Sequence, residues 1–449
     1  VKNAFVVVDL GYGDSGKGTV VDALVRRYGA ELVVRFNGGA QAGHNVVDAI
    51  SGKHHCFAQF GSGTFVPGCR TLLAGPCLVN PLAMVHEEAH LVKQGVTGAF
   101  NRMYVDGRCL MTTPYHRMAN RLRELARGDN RHGSCGMGIG ETVAYATAAL
   151  TMAPVIEDVL QPELLETKLQ HLRTVMRQTV GRFPLDLTNK IVVKELSTMD
   201  VPVSDLVQRY VAWGQKVTIL NDPMEVAELL NRYDTAIMEG AQGVLLDENY
   251  GFHPYTTWST TTARNAHVVL DEAEVRCPRT VIGVIRAYAT RHGAGPFVGQ
   301  DDLLTQALPD EYNPENPWQS KLRCGWWNLD ILRYSIDVAK TNGGLDALAV
   351  TCLDQIARVG DFRLTEGLRS SQPFALKPLD ADDLEARKRQ SAQLERVRPI
   401  TSCRVENLKT DDLANLFSVG LRIPLALYSE GRTSVEKTFT TGVLADPHA

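Results

Sequence analysis

Several features are scarce in this chain of 449 residues, and each shortage removes a class of protein. Cysteine pairs at metal-binding or redox spacing are missing. The nine cysteines (Cys56, Cys69, Cys77, Cys109, Cys135, Cys277, Cys324, Cys352 and Cys403) form an odd set with no C-x-x-C, so neither a disulfide framework nor a zinc site is expected. A reducing, cytoplasmic setting fits that usage. No run approaches the ~18 to 20 apolar residues of a membrane span, and the start Val1-Lys-Asn-Ala-Phe moves straight into a short apolar strand instead of a secretory segment. Positive charge is not in excess: 47 Lys and Arg stand against 51 Asp and Glu, a formal charge of −4, so no nucleic-acid polymer is expected as partner. Low-complexity tracts, internal repeats and long linkers are also missing.

What remains is ordinary globular usage, with 44% hydrophobic and 22% charged residues. The length equals roughly two or three average domains, or one large elaborated one. Phe5-Val-Val-Val8 is a short apolar strand that stops at Gly11-Tyr-Gly-Asp-Ser-Gly-Lys-Gly18, before a helical pattern with Val20, Val21, Leu24 and Val25 apolar. Further runs, hydrophobic on both faces, are Glu31 to Phe36, Thr235 to Met238, Val281 to Tyr288, Ala347 to Thr351 and Leu425 to Tyr428. Such runs suit a parallel sheet covered by helices. Helical periodicity marks Glu163 to Arg182, Val203 to Trp213, Pro223 to Tyr233, Asn328 to Asn342 and Asp411 to Val419. The expected architecture is α/β: a single unit over 1–449 with a central, mostly parallel sheet and a mainly helical insertion at about 114–232. The polar segment Pro373 to Arg398 reads as a peripheral loop or surface helix.

Gly11 to Lys17 fits G-x-x-x-x-G-K, but Gly18 stands where a phosphate loop needs Ser or Thr for magnesium. Glycines there let backbone N–H groups approach a phosphate, and the following helix turns its positive end towards it. Asp14 is the unusual member. An acid inside a phosphate cradle repels the ligand unless it binds Mg²⁺ or takes a proton, so a chemical role is expected. A second glycine turn, Gly38 to Asn45, follows the next strand and brings His44 to the carboxyl edge beside the first loop. There a partly positive imidazole is suited to stabilising a developing anion.

The two turns together resemble adenylosuccinate synthetase, whose loops read G-D-E-G-K-G and G-G-x-N-A-G-H-T. This chain has Gly13-Asp-Ser-Gly-Lys-Gly18 and Gly38-Gly-Ala-Gln-Ala-Gly-His-Asn45. Gly133-Ser-Cys-Gly-Met-Gly-Ile-Gly140, Glu239-Gly-Ala-Gln-Gly-Val-Leu-Leu-Asp247, Pro254-Tyr-Thr-Thr257, Thr290-Arg-His-Gly293, Arg323-Cys-Gly-Trp326, Leu353-Asp354 and Ser429-Glu-Gly431 follow in family order. The resemblance spans essentially the whole chain.

It implies a homodimeric ligase that uses GTP, or ATP, with Mg²⁺ to phosphorylate the 6-oxo group of IMP or a related purine. The amine of aspartate, or another amino donor, then displaces the phosphate. By position, Asp14, His44 and Gln242 are the implied catalytic residues, and Asp14 with the Gly43 carbonyl the metal ligands. Gly13, Ser15, Gly16, Lys17, Gly18, Gly43, Asn45, Asp354, Ser429 and Gly431 are the implied nucleotide contacts. Gln41, Ser134, Cys135, Thr257, His292, Lys321 and Arg323 fall at substrate positions.

The departures concern recognition more than chemistry. Gln41, Cys135 and Thr151 replace an Asn, a Thr and an Arg of the family's 5′-phosphate grip, the Arg being the one lent across the dimer. Neighbours such as Arg131 or Arg264 are candidates to substitute. Ser320 and Leu322 replace two of three arginines that seat aspartate, and Cys352 replaces the Lys that covers guanine. A specialised-pathway paralogue with a different purine analogue and amine is one alternative. A catalytically inactive nucleotide-binding protein is another, opposed by the retained Asp14 and His44.

Overall fold

The computed structural model describes residues 1–312, 318–319, 321–370, 374–405 and 409–444. Ser320 and Pro373, singled out in the sequence, lie outside them. A ten-stranded sheet runs in the order Lys437–Phe439, Leu425–Ser429, Ala347–Thr351, Arg279–Arg286, Asn3–Asp9, Thr235–Glu239, Leu32–Arg35, Arg70–Leu73, Met103–Asp106 and Thr218–Leu220. Every pairing is parallel except that of Lys437–Phe439. All six apolar runs named from the sequence, Phe5–Val8 and the five further ones, fall on strands of this sheet. Their two-sided hydrophobicity has the expected cause, since helices cover both faces and strands such as Ala347–Thr351 are buried at every position.

One neighbour relation differs from expectation. Leu32–Arg35 does not lie beside Asn3–Asp9, because Thr235–Glu239 is inserted between them, about 200 residues later in the chain. The sheet therefore places three loop systems side by side at its carboxyl edge, following Asp9, Arg35 and Glu239. Order reverses around Asn3–Asp9, the kind of switch point at which open α/β sheets bind ligands.

Between residues 114 and 232 the longer helices are Pro114–Arg127, Ile139–Ala149, Pro162–Val180, Val203–Gly214 and Pro223–Asn231. This segment also contributes Thr218–Leu220, the edge strand beside Met103–Asp106. Three residues are too short a run to stand out in a helical stretch, and tertiary pairing decides the matter. The helices of this segment pack Tyr115, Leu122, Leu169, Leu172, Tyr210 and Trp213 into a core shared with earlier residues such as Phe57, Met84 and Val105. Within the polar segment the surface-helix alternative is the one observed, over Leu384–Leu394.

Candidate active site

Six strands of the sheet deliver residues to one cavity of about 600 Å³ at the carboxyl edge. The loop after Asn3–Asp9 brings Gly13, Asp14, Gly16, Lys17 and Gly18; the turn after Leu32–Arg35 brings Gln41, Gly43, His44 and Asn45. Gln242, Arg286, Cys352, Asp354, Ser429 and Gly431 follow the other four, while Ser134, Cys135, Thr257 and His292 close the remaining wall. Three expected residues do not line it. Ser15 is buried within its loop, and Arg323 donates to Gln300 Oε1 at 2.8 Å and to the Gly293 and Gly295 carbonyls at 2.7 and 3.1 Å. Its guanidinium is thus spent on bracing the 293–295 turn. Lys321 is exposed beside that turn and outside the cavity wall.

Local backbone chemistry explains why glycine is needed where the loops meet. A Cβ on Gly243 would stand 2.3 Å from the Gly11 carbonyl and 2.6 Å from the Gly13 nitrogen, so the first and third loops touch backbone to backbone. A Cβ on Gly18 would meet His44 Cβ at 2.8 Å. That contact accounts for the incomplete phosphate-loop motif, because a Ser or Thr after Lys17 would collide with the second turn. Asn37 ties the second and third loops together, donating to the Ala241 carbonyl at 3.0 Å and accepting from the Ala241 N–H at 2.7 Å.

Asp9, which drew no notice in the sequence, organises the first loop. Its carboxylate accepts from the N–H groups of Gly11 at 2.8 Å, Gly13 at 3.3 Å and Ser15 at 3.1 Å, and from Lys17 Nζ at 2.9 Å. Both charges are buried, at 0% exposure for Asp9 and 3% for Lys17. Lys17 is accordingly neutralised by Asp9 rather than standing as a bare cation. The one hint in the sequence is an acid ending an otherwise apolar strand.

Asp14 sits in the left-handed region at φ 58°, half-buried on the cavity wall. Its carbonyl accepts from Arg286 Nε. Burial raises its carboxyl above the ordinary range, against the pull of Arg286, Lys17 and His292 and with the help of Asp9. Gln242 is also left-handed, at φ 57°, and its buried side-chain oxygen has no partner among the described residues. Neither amide atom of Gln41 has one either. These amides are unsatisfied groups that a ligand can complete.

His44 departs from the expected partly positive imidazole. Burial, reinforced by Arg35, pushes its pKa down to about 4 despite Glu239. Its Nδ1 lies 2.5 Å from Glu239 Oε1, and Glu239 also accepts from the Ser62 N–H at 3.0 Å and from the Ser62 hydroxyl. Burial would raise Glu239, but Arg35, next to it in register across the sheet, with His44 and Ser62 holds it at about 2. An ionised Glu239 accepts the Nδ1 proton, leaving Nε2 of the neutral ring as the unprotonated nitrogen.

At the end formed by the Pro114–Arg127 helix the cations are already matched. Arg123 Nε lies 2.6 Å from Glu141 Oε1, and Arg127 pairs with the buried Glu124, which also accepts from the Gly133 N–H at 3.1 Å. All four line the cavity, whereas Arg131 and Arg264, expected as substitutes, do not. Leu322 does not line it, and Thr151 is exposed.

This arrangement combines a raised carboxyl, a His–Glu pair and glycine turns around one cavity. The adenylosuccinate synthetase family model matches residues 6–408. The chain is 30% identical to the adenylosuccinate synthetase of Halothermothrix orenii over 368 residues, covering 81% of this chain and 80% of that protein. It is 31% identical to that of Chlorobium chlorochromatii over 357 residues, 78% and 76% of the two chains. Among solved structures, the fully ligated adenylosuccinate synthetase of Plasmodium falciparum superposes with a TM-score of 0.75 at 18% identity, covering 97% of this chain and 99% of that one. The cyanophage S-2L succinoaminodeoxyadenylate synthetase bound to dGMP and dATP gives 0.56 at 16%, over 98% and 96%. With a family model spanning most of its length and the loops meeting at one cavity, the chain belongs to the adenylosuccinate synthetase family, NTP- and magnesium-dependent ligases that form a C–N bond on purine nucleotides.

Proposed function

We propose that this ligase phosphorylates the 6-oxo group of IMP or a close relative and replaces that phosphate with the amine of aspartate or another amino donor. The observation that carries the reading is the raised carboxyl of Asp14, set on a strained turn in the same cavity as Gln242 and the His44–Glu239 pair. A carboxyl raised in this way is suited to taking a proton from the ligand, in addition to its place among the metal ligands.

Asp14 takes the N1 proton of the oxopurine while the Gln242 amide fixes the base edge. The charge moves to O6, which attacks the γ-phosphorus as the bond to the β-phosphate oxygen breaks. His44, neutral in the free protein, gains its second proton as the triphosphate's charge arrives, and ionised Glu239 stabilises the resulting imidazolium. Its Nε2–H then donates to the transferring oxygens. The amine attacks C6, the C–N bond forms, and the C6–O6 bond breaks with release of phosphate. The Asp14 carboxylate and the Gly43 carbonyl are hard oxygen donors that would hold Mg²⁺ beside the substrate phosphates, where the ion would supply charge neutralisation.

The nucleotide reading rests on Asp354, Ser429 and Gly431 at the cavity end that also carries Cys352. GTP is the donor that Asp354 favours, through acceptance from a guanine N1–H and 2-amino group. The monophosphate end meets Ser134, Cys135 and Gln41, with Arg123 and Arg127 already paired, so amide and hydroxyl donors hold it. A homodimer accompanies this reading. The exposed Leu150 and Thr151 segment, with Leu150 at 78% exposure, is a face that a second copy can cover.

Phosphate release with GTP or ATP and Mg²⁺, across oxopurine nucleotides crossed with amino acids, tests the proposal. Release that needs both IMP and aspartate supports the first choice of substrates. Release with another pair moves the acceptor or the amine, and release with none rejects the reaction.

A further inference from the structure

A second cavity, of about 740 Å³, lies among the helices Pro81–Lys93, Pro114–Arg127 and Val203–Gly214, with Met137 and the 197–201 segment completing its wall. Pro114 and Arg117, at the start of the Pro114–Arg127 helix, line it, whereas Asn120, Arg123, Glu124 and Arg127 of the same helix line the first cavity. The two therefore share a wall and no lining residue.

The charge of this second cavity is one-sided. Arg117, Arg209 and Lys216 line it, and among the described residues no Asp or Glu does. The Pro114–Arg127 helix supplies an internal comparison. Arg121 pairs with Glu195 at 2.8 Å, Arg123 with Glu141 at 2.6 Å and Arg127 with Glu124, yet Arg117 makes no hydrogen bond or ion pair among the described residues, and its Nε is buried without a partner. Arg209 is likewise unpaired among them, and Lys216 has only the Phe100 ring, at 6.0 Å. Trp213, also in the lining, has 0% exposure and its indole N–H finds no acceptor among the described residues. Arg209 and Lys216 are exposed to water, and Glu195, already bound by Arg121, is the acid acting on the half-buried Arg117. A buried donor without a partner is unusual in a native interior, and Arg117 Nε and Trp213 Nε1 beside an all-cationic lining favour an anionic acceptor. Leu82, Val85, Val201 and Leu206 supply the apolar remainder. The volume falls within the ~300 to 1,000 Å³ of small-molecule sites, which favours a compact ligand over a peptide chain.

We propose that this cavity binds a small organic anion, a carboxylate or phosphate on an apolar or aromatic body. Its charged end meets Arg117, Arg209 and Lys216, and Trp213 donates its N–H. The reading does not depend on the substrates assigned to the first cavity.

Anilinonaphthalene sulfonate is a suitable probe, titrated into the full-length protein with GTP and Mg²⁺ present. Saturable binding is expected, weakened at least tenfold in an Arg209→Glu/Lys216→Glu double variant and several-fold in Trp213→Phe. The double variant changes only exposed side chains, and its circular dichroism should match that of the parent. Displacement by phenyl phosphate but not benzoate would identify a phosphate ligand, and the reverse a carboxylate. Equal probe affinity in the double variant, or displacement by neither compound, would overturn the proposal.

Discussion

At the scale of single residues, three side chains carry testable consequences. Asp14→Asn keeps the shape of the turn and removes the base, so kcat should fall roughly 10²- to 10⁴-fold while nucleotide binding, followed by calorimetry, persists. Unchanged turnover would remove Asp14 from the chemistry. Asp9→Asn leaves the buried Lys17 without its counter-charge and should cost about 3 to 5 kcal/mol in a denaturant titration. The His44–Glu239 pair sets a pH dependence of stability. His44 has a folded pKa near 4 against an ordinary 6.5, so the unfolded chain binds its proton first as pH falls, and stability declines between those values. Glu239, held near 2 against an ordinary 4.5, adds a second loss at lower pH, with the same sign. Melting temperatures should therefore decline from pH 7 to pH 4. In His44→Gln the decline between pH 6.5 and 4 should be smaller.

At the scale of elements, the loops are held by close approach and the helices by caps. Gly18→Ser restores the residue type of a phosphate loop but inserts a Cβ 2.8 Å from His44. Overpacking of that kind costs about 1 to 3 kcal/mol, so the variant should melt lower and also lose activity by displacing His44. Asn328 caps the Leu329–Thr341 helix by accepting from the Asp330 and Ile331 N–H groups at 3.1 and 3.4 Å, and its amide donates to Thr365 Oγ1 at 3.2 Å. Asn328→Ala should cost about 1 to 2 kcal/mol in thermal unfolding, with kcat preserved, since Asn328 stands outside the cavity wall. These elements also show what a sequence can disclose. The Asn328 to Asn342 helix and the six apolar runs were legible because each announces itself by local periodicity. Thr218–Leu220 was not, because three residues acquire strand character only from a partner that lies over 100 positions away.

At the scale of the whole molecule, the proposed homodimer has a direct check. Sedimentation at micromolar concentration should give about twice the chain mass, and a monomer would reject it. The site itself is also a whole-molecule property, assembled from six strand ends spread from Asp9 to Ser429. By itself the sequence determined the strand–glycine loop–helix unit, the order of its motifs, and the residue types Asp14, His44 and Gln242 on which the expected chemistry rests. It also disclosed substitutions at Gln41, Cys135 and Cys352. Only the tertiary structure decided that Thr235–Glu239 enters between the first two strands, which sets Glu239 against His44 across 195 positions and beside Arg35 in register. The same assembly neutralises Lys17 with Asp9, pairs Arg123 and Arg127 with carboxylates, turns Arg323 away from the cavity and leaves Arg117 without a hydrogen bond or ion pair among the described residues. The physical reason is that apolar strands hydrophobic on both faces do not specify which strand each will adjoin, whereas buried charges take their ionisation from whichever neighbours that order brings within reach.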